Sequence, residues 1–381
     1  MCNFFTITVS PYLHTDKETE VYRLKKLWIL FIFPALSAFF LLTFWEKAAV
    51  GTAKFTLSAM NPIKAVKYVI NTDAPFSDTP VVNSEQNYTD NPINPFEGFT
   101  LASPSPPPLK QPVYDTGCPI AVMTYVSAAD DITYKKQNCY VKNVTKISRS
   151  EVESELLRET DFKVKKNSDE PQILIMHTHA TESYQNHPEL YYDPEYTCRD
   201  TDVTKNMVSV GKIITDKLND LGYNTIQDAT LHDYPNYNGS YDRSKVTVEK
   251  YLAQYPSIKV VLDVHRDAIE RSDGTRIKPV VTINGKDCAQ VMIISGADNG
   301  YLNMPDFKKN LRFASHFQNS MESLYPTFTR PILFDYRNYN QQLTTGSLLI
   351  EVGGHANTLE EAHNAAKLIA YSLADTFDGM Q

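Results

Sequence analysis

Three short apolar runs that each end in a histidine or a glutamate constrain this chain more than any other feature. Ile173-Leu-Ile-Met176 runs straight into His177-Thr-His179-Ala-Thr-Glu182-Ser-Tyr184. Ile258-Lys-Val-Val-Leu262 leaves through Asp263-Val-His265-Arg266-Asp267, and Ser347-Leu-Leu-Ile350 through Glu351-Val-Gly353-Gly354. Apolar runs of this length between polar residues read as strands buried on both faces, the habit of a parallel sheet. In open α/β sheets the ligand chemistry gathers at the C-terminal ends of the strands. Three such ends carrying His or Glu predict one metal or acid–base site. The paired glycines after Glu351 let the backbone turn or let a ligand come close.

From Pro171 onward strand and helix signals alternate, which predicts an α/β fold with a mostly parallel central sheet flanked by helices. Met207, Val210, Ile214, Leu218 and Leu221 fall on one stripe of a helix over Asp202–Leu221, stopped by Gly222. Arg243–Tyr255 and Phe307–Tyr325 also read as helices, and Tyr223–Gln227 and Lys259–His265 as strands. Val280–Asn284 and Gln290–Ser295 read as a β-pair. Thr358-Leu-Glu-Glu361 matches a capping box that opens the last helix. Residues 171–381 make up the expected catalytic domain. Residues 113–170, with a helix expected over Arg149–Thr160, form either an accessory region or its leading edge.

The N-terminal part has a different character. Trp28–Trp45 holds no charged residue and is bracketed by Lys25-Lys26 and Glu46-Lys47, as a membrane helix of near-minimal length would be. A signal peptide's apolar region is usually shorter, so the expectation is a retained anchor, with Pro34 as a tolerated kink. Residues 1–27 are expected in the cytoplasm and the bulk of the chain outside the membrane. Residues 46–112 then serve as a membrane-proximal segment and a linker stiffened by Ser103-Pro-Ser-Pro-Pro-Pro108. A net charge of -8 without a basic stripe excludes nucleic acid as a partner. The five cysteines show no metal-binding spacing, and Cys198 and Cys288 read as small buried thiols.

A catalytic zinc takes about three protein ligands from His, Glu or Asp and leaves a position open. His179 or His177, Glu182 and His265 supply such a set, with Asp200 and Asp202 as rivals to Glu182 for the acidic place. Glu351 is the candidate general base. Arg266 either pairs with Asp267 or holds a substrate carboxylate bidentately.

The blocks His177–Tyr184, Asp263–Ala268 and Glu351–Thr358, in that order behind an apolar N-terminal segment, resemble the stage II sporulation protein P family over roughly residues 171–375. The resemblance implies a fold similar to zinc-dependent N-acetylmuramoyl-L-alanine amidases, with His265 as a metal ligand and Glu351 as the catalytic glutamate. It also implies a peptidoglycan substrate, thinned at the sporulation septum during engulfment, with both amide and stem-peptide bonds cut. The partner it implies is a glycan-cleaving enzyme like stage II sporulation protein D.

Overall fold

The computed structural model describes residues 117–193 and 195–380. Trp28–Trp45 and the linker lie outside them, and among the described residues no helix is long and apolar enough to cross a membrane.

Chain order is β1 (Cys118–Met123), β2 (Thr133–Lys136), β3 (Cys139–Asn143), α1 (Arg149–Glu155), β4 (Ile173–Met176), β5 (Tyr191–Tyr192), α2 (Met207–Asp220) and β6 (Thr225–Gln227). There follow α3 (Ser240–Gln254), β7 (Val260–Asp267), β8 (Arg276–Ile283), β9 (Lys286–Ala289), β10 (Val291–Gly296), α4 (Phe307–Leu324), β11 (Ile332–Asp335), β12 (Gly346–Gly354) and α5 (Leu359–Gly379). Eight strands form one sheet in the order β2-β3-β11-β10-β12-β7-β4-β6. Only the β2–β3 and β10–β12 pairs are antiparallel, so the central sheet is mostly parallel as expected. β2 and β3 complete one edge, so residues ahead of Pro171 are built into the same sheet.

Period-two alternation divides the central strands between two apolar layers. Ile173, Ile175, Val260, Leu262, Val264, Leu348 and Ile350 turn toward a large core that includes Val210 and Ile214 of α2, Phe313 and Phe317 of α4, and Leu368 and Ile369 of α5. Leu174, Met176 and Val261 face the other way, onto Val248 of α3. Helices therefore cover both faces, which is why these runs are apolar without interruption.

A second sheet, β5-β1-β8-β9, is separate in its hydrogen bonding but packs against β12 and α5, where Lys278 pairs with Glu361 at 2.7 Å. Its β8–β9 hairpin corrects the expected pairing of Val280–Asn284 with Gln290–Ser295, because β8 pairs with Lys286–Ala289 and β10 belongs to the main sheet. The reason is local: Asn284 and Gly285 both take positive φ, the two-residue turn that matches strand twist. The capping box is present as expected, with Thr358 and Glu361 satisfying each other's backbone N–H groups. Asn206 caps α2, so that helix starts at Met207 and not at the expected Asp202.

Candidate active site

His265 and Glu351 sit opposite each other in register on the parallel pair β7 and β12. Just beyond Glu351 the register shifts before Gly354 meets Asp267, an irregularity of the kind that re-aims side chains beside active sites. Gly353 makes this possible at φ +68°, where a Cβ would stand 2.5 Å from Asn357 Oδ1.

His179, Glu182 and His265 each present one ligand atom, and these atoms lie within 4.8 Å of one another. His179 Nδ1 is 3.6 Å from Glu182 Oε1, and His265 Nδ1 is 3.4 Å from Glu182 Oε2. Glu182 comes from a loop, but its backbone is fixed: Met207 N–H donates to its carbonyl, and a β-bridge ties it to Arg199. His265 Nε2 stands 2.8 Å from Asp263 Oδ1, while Thr178 donates to both oxygens of that carboxylate. A carboxylate behind an imidazole is how metal-binding histidines are oriented, leaving Nδ1 for the metal.

The electrostatics ask for positive charge. Burial works against the His265 imidazolium, but Asp263 and Glu182 outweigh it and hold the ring's pKa well above its ordinary value. Burial pushes the Glu182 carboxyl up, yet Arg266, His179 and His265 bring it well below its usual range. Burial, with Asp267 and Glu182 nearby, raises Glu351 to about 8, and its Oε2 is buried without a hydrogen-bond partner. Two imidazoles and a carboxylate around a point that attracts positive charge fit a divalent zinc.

His177 stands outside this group. Its Nδ1–H donates to Val264 O at 2.9 Å, and its Nε2 accepts from the Gln227 amide at 3.1 Å. Burial lowers its pKa to about 4, in keeping with a neutral ring. Alternation carries His177 onto the face of Ile173 and Ile175, against Gly211 of α2, whereas His179 lies in the turn past the strand. Asp200 and Asp202 are spent on their own turns, accepting from Asp202 N and Thr204 N.

The structure corrects both readings of Arg266. Its guanidinium donates to the carbonyls of Ser183 and Cys198, at 3.1 and 2.8 Å, while Asp267 pairs with Arg330 at 2.8 Å. Arg266 thus clamps the loop that carries Glu182 and is not free for a substrate carboxylate.

Several residues of the site were not assigned from sequence. Asp263 could have been, because its spacing of two from His265 puts both on one face of a strand. Tyr237 stacks on the His179 ring at 4.7 Å, and Tyr241 meets its edge at 5.4 Å. Arg199 pairs with Asp233 at 2.6 Å and lies over Tyr237. These come from a loop and a first helical turn, where no periodic signal exists. The described cysteines form no disulfide; Cys288 is buried as expected, whereas Cys198 is only partly buried.

Residues 120–374 match the family described as stage II sporulation protein P. The chain belongs to that family. The Bacillus subtilis stage II sporulation protein P is 30% identical over 249 residues, which cover 62% of this chain. The match spans 58% of that relative's length. Among solved structures, the chain is similar to the CwlD amidase from Clostridioides difficile, with a TM-score of 0.35 and 11% identity over 55% of this chain and 98% of that one. It is also similar to an N-acetylmuramoyl-L-alanine amidase of Nostoc punctiforme, with a TM-score of 0.32 and 12% identity over 56% of this chain and 97% of that one. In this member of the sporulation family, the family match takes in all the residues of the site.

Proposed function

We propose that the chain is a zinc-dependent peptidoglycan hydrolase that cuts the amide between N-acetylmuramic acid and L-alanine. The observation that carries this reading is the convergence of His179, Glu182 and His265 on one point, with Glu351 in register beside His265. Those three residues would hold the metal, and Asp263 would keep His265 turned toward it. Zinc held there supplies Lewis acidity, polarising the scissile carbonyl and acidifying water. Glu351 takes a proton from the attacking water as the new carbon–oxygen bond forms. It returns the proton to the amide nitrogen as the carbon–nitrogen bond breaks.

The proposal places the protein on a membrane through Trp28–Trp45, with the catalytic domain outside, thinning septal peptidoglycan beside a glycan-cleaving enzyme like stage II sporulation protein D. Stem-peptide bonds are a second substrate on this reading. The test is digestion of purified sacculi by the full-length chain, with mass spectrometry of the released fragments and elemental analysis of the protein. Close to one zinc per chain and peptides beginning with L-alanine are expected. A folded chain that holds no zinc and releases nothing would instead be a peptidoglycan-binding module.

A further inference from the structure

The Tyr241 ring packs against that of His179, and its phenol has no hydrogen-bond partner among the described residues. Tyr241 lies in the first turn of α3, and its ring is fixed on two sides. One side stacks on Tyr339 with ring centroids 5.1 Å apart and planes 22° from parallel, and Tyr339 is itself held by Arg337. The other meets the edge of His179 at 5.4 Å. The Tyr241 carbonyl accepts from the Asn340 amide, which ties this turn to the loop bearing Tyr339. The hydroxyl lies within electrostatic reach of Asp263, Glu351 and Glu182. Among the described residues it makes no hydrogen bond.

An ordered phenol with an unspent O–H, packed against the ring of a proposed metal ligand, has a direct chemical use in amide hydrolysis. We propose that Tyr241 is a catalytic residue that donates a hydrogen bond to the carbonyl oxygen of the scissile amide as negative charge develops there. A phenol keeps its proton at neutral pH, so it can donate a hydrogen bond to the oxygen and exchanges no proton with the substrate. Such a donor, already in place, costs no rearrangement at the moment of reaction, and its stabilisation exists only when the oxygen is charged. The assignment rests on the amidase reading above.

Tyr241→Phe removes the hydroxyl and keeps the ring that stacks on Tyr339. In the full-length, zinc-loaded chain acting on a muramyl peptide, kcat should fall about 10²-fold. KM, zinc content and thermal midpoint should stay at wild-type values. A normal kcat in the variant, or a change confined to KM, overturns the assignment alone. A loss of zinc would make Tyr241 a support for His179 and overturn it equally. A wild-type chain that cleaves no muramyl amide overturns the amidase reading and this assignment together.

Discussion

At the scale of single residues, the proposed function divides the two histidines of the first strand end between structure and metal binding, and mutagenesis separates them. His179→Ala and His265→Ala should each lose most bound zinc, because two remaining ligands hold the metal poorly in an open site. His177→Ala should keep its zinc and lose about 2–4 kcal/mol of stability, since it leaves the Val264 carbonyl and the Gln227 amide without the ring and opens a cavity. Zinc by elemental analysis and urea unfolding read these outcomes, and a metal-free His177→Ala would return that residue to the ligand set. Glu351→Gln should keep zinc and fold while its turnover drops on the order of 10²–10⁴, the usual cost of removing a general base. Normal turnover would make Glu351 structural, a role for which the last helix already has Thr358 and Glu361. Much of this was legible: Glu182, His265 and Glu351 stand in blocks whose strand ends are readable. The choice between His177 and His179 was also latent in the alternation of Ile173 and Ile175. Tyr241 was not legible, because what gives it meaning is Tyr339, 98 positions away and brought in by a loop.

At the scale of elements, the contact between α2 and β4 is tight enough to test. A Cβ on Gly211 would fall 2.5 Å from two ring atoms of His177 and 2.7 Å from the Gln227 amide nitrogen. Gly211→Ala gains about 1 kcal/mol of helix propensity but overpacks a core contact at a cost of about 1–3 kcal/mol, with a buried hydrogen bond also at risk. The net expectation is a loss of about 2 kcal/mol by urea unfolding, and a variant more stable than wild type would mean that the His177 ring yields freely. Strands and helices between Pro171 and Gln381 were readable because burial on two faces and amphipathic stripes leave different periods. The β8–β9 hairpin was misread because attention to apolar content passed over Asn284-Gly285, where the backbone demand is the stronger signal.

For the whole molecule, acid is the condition to which the fold should be most exposed. Burial lowers His177, His355 and His363 to about 4, against an unfolded value of about 6.5. Below 6.5 the unfolded chain takes up protons that the folded chain refuses, so stability falls as pH drops from about 6.5 toward 4. Glu351, raised to about 8 in the metal-free chain, works oppositely there: the folded chain keeps a proton that the unfolded one has lost, which favours folding as pH falls from 8 to about 4.5. Three histidines outnumber one carboxyl, so the net slope between pH 6.5 and 4.5 should be downward. His363→Gln, which can still bond Ser209, should flatten that slope by at most about 1.4 kcal/mol per pH unit. Chemical unfolding at several pH values measures it, and an unchanged slope would mean His363 titrates in the folded chain. The pairing of His265 with Glu351 has a further bearing on how the protein comes into being. Because strand side chains alternate, a slip of β12 by one residue against β7 would send Glu351 into the apolar layer and Ile350 out of it. The proofreading of strand alignment by core burial is therefore also what sets Glu351 against His265, the pair proposed to act as base and metal ligand.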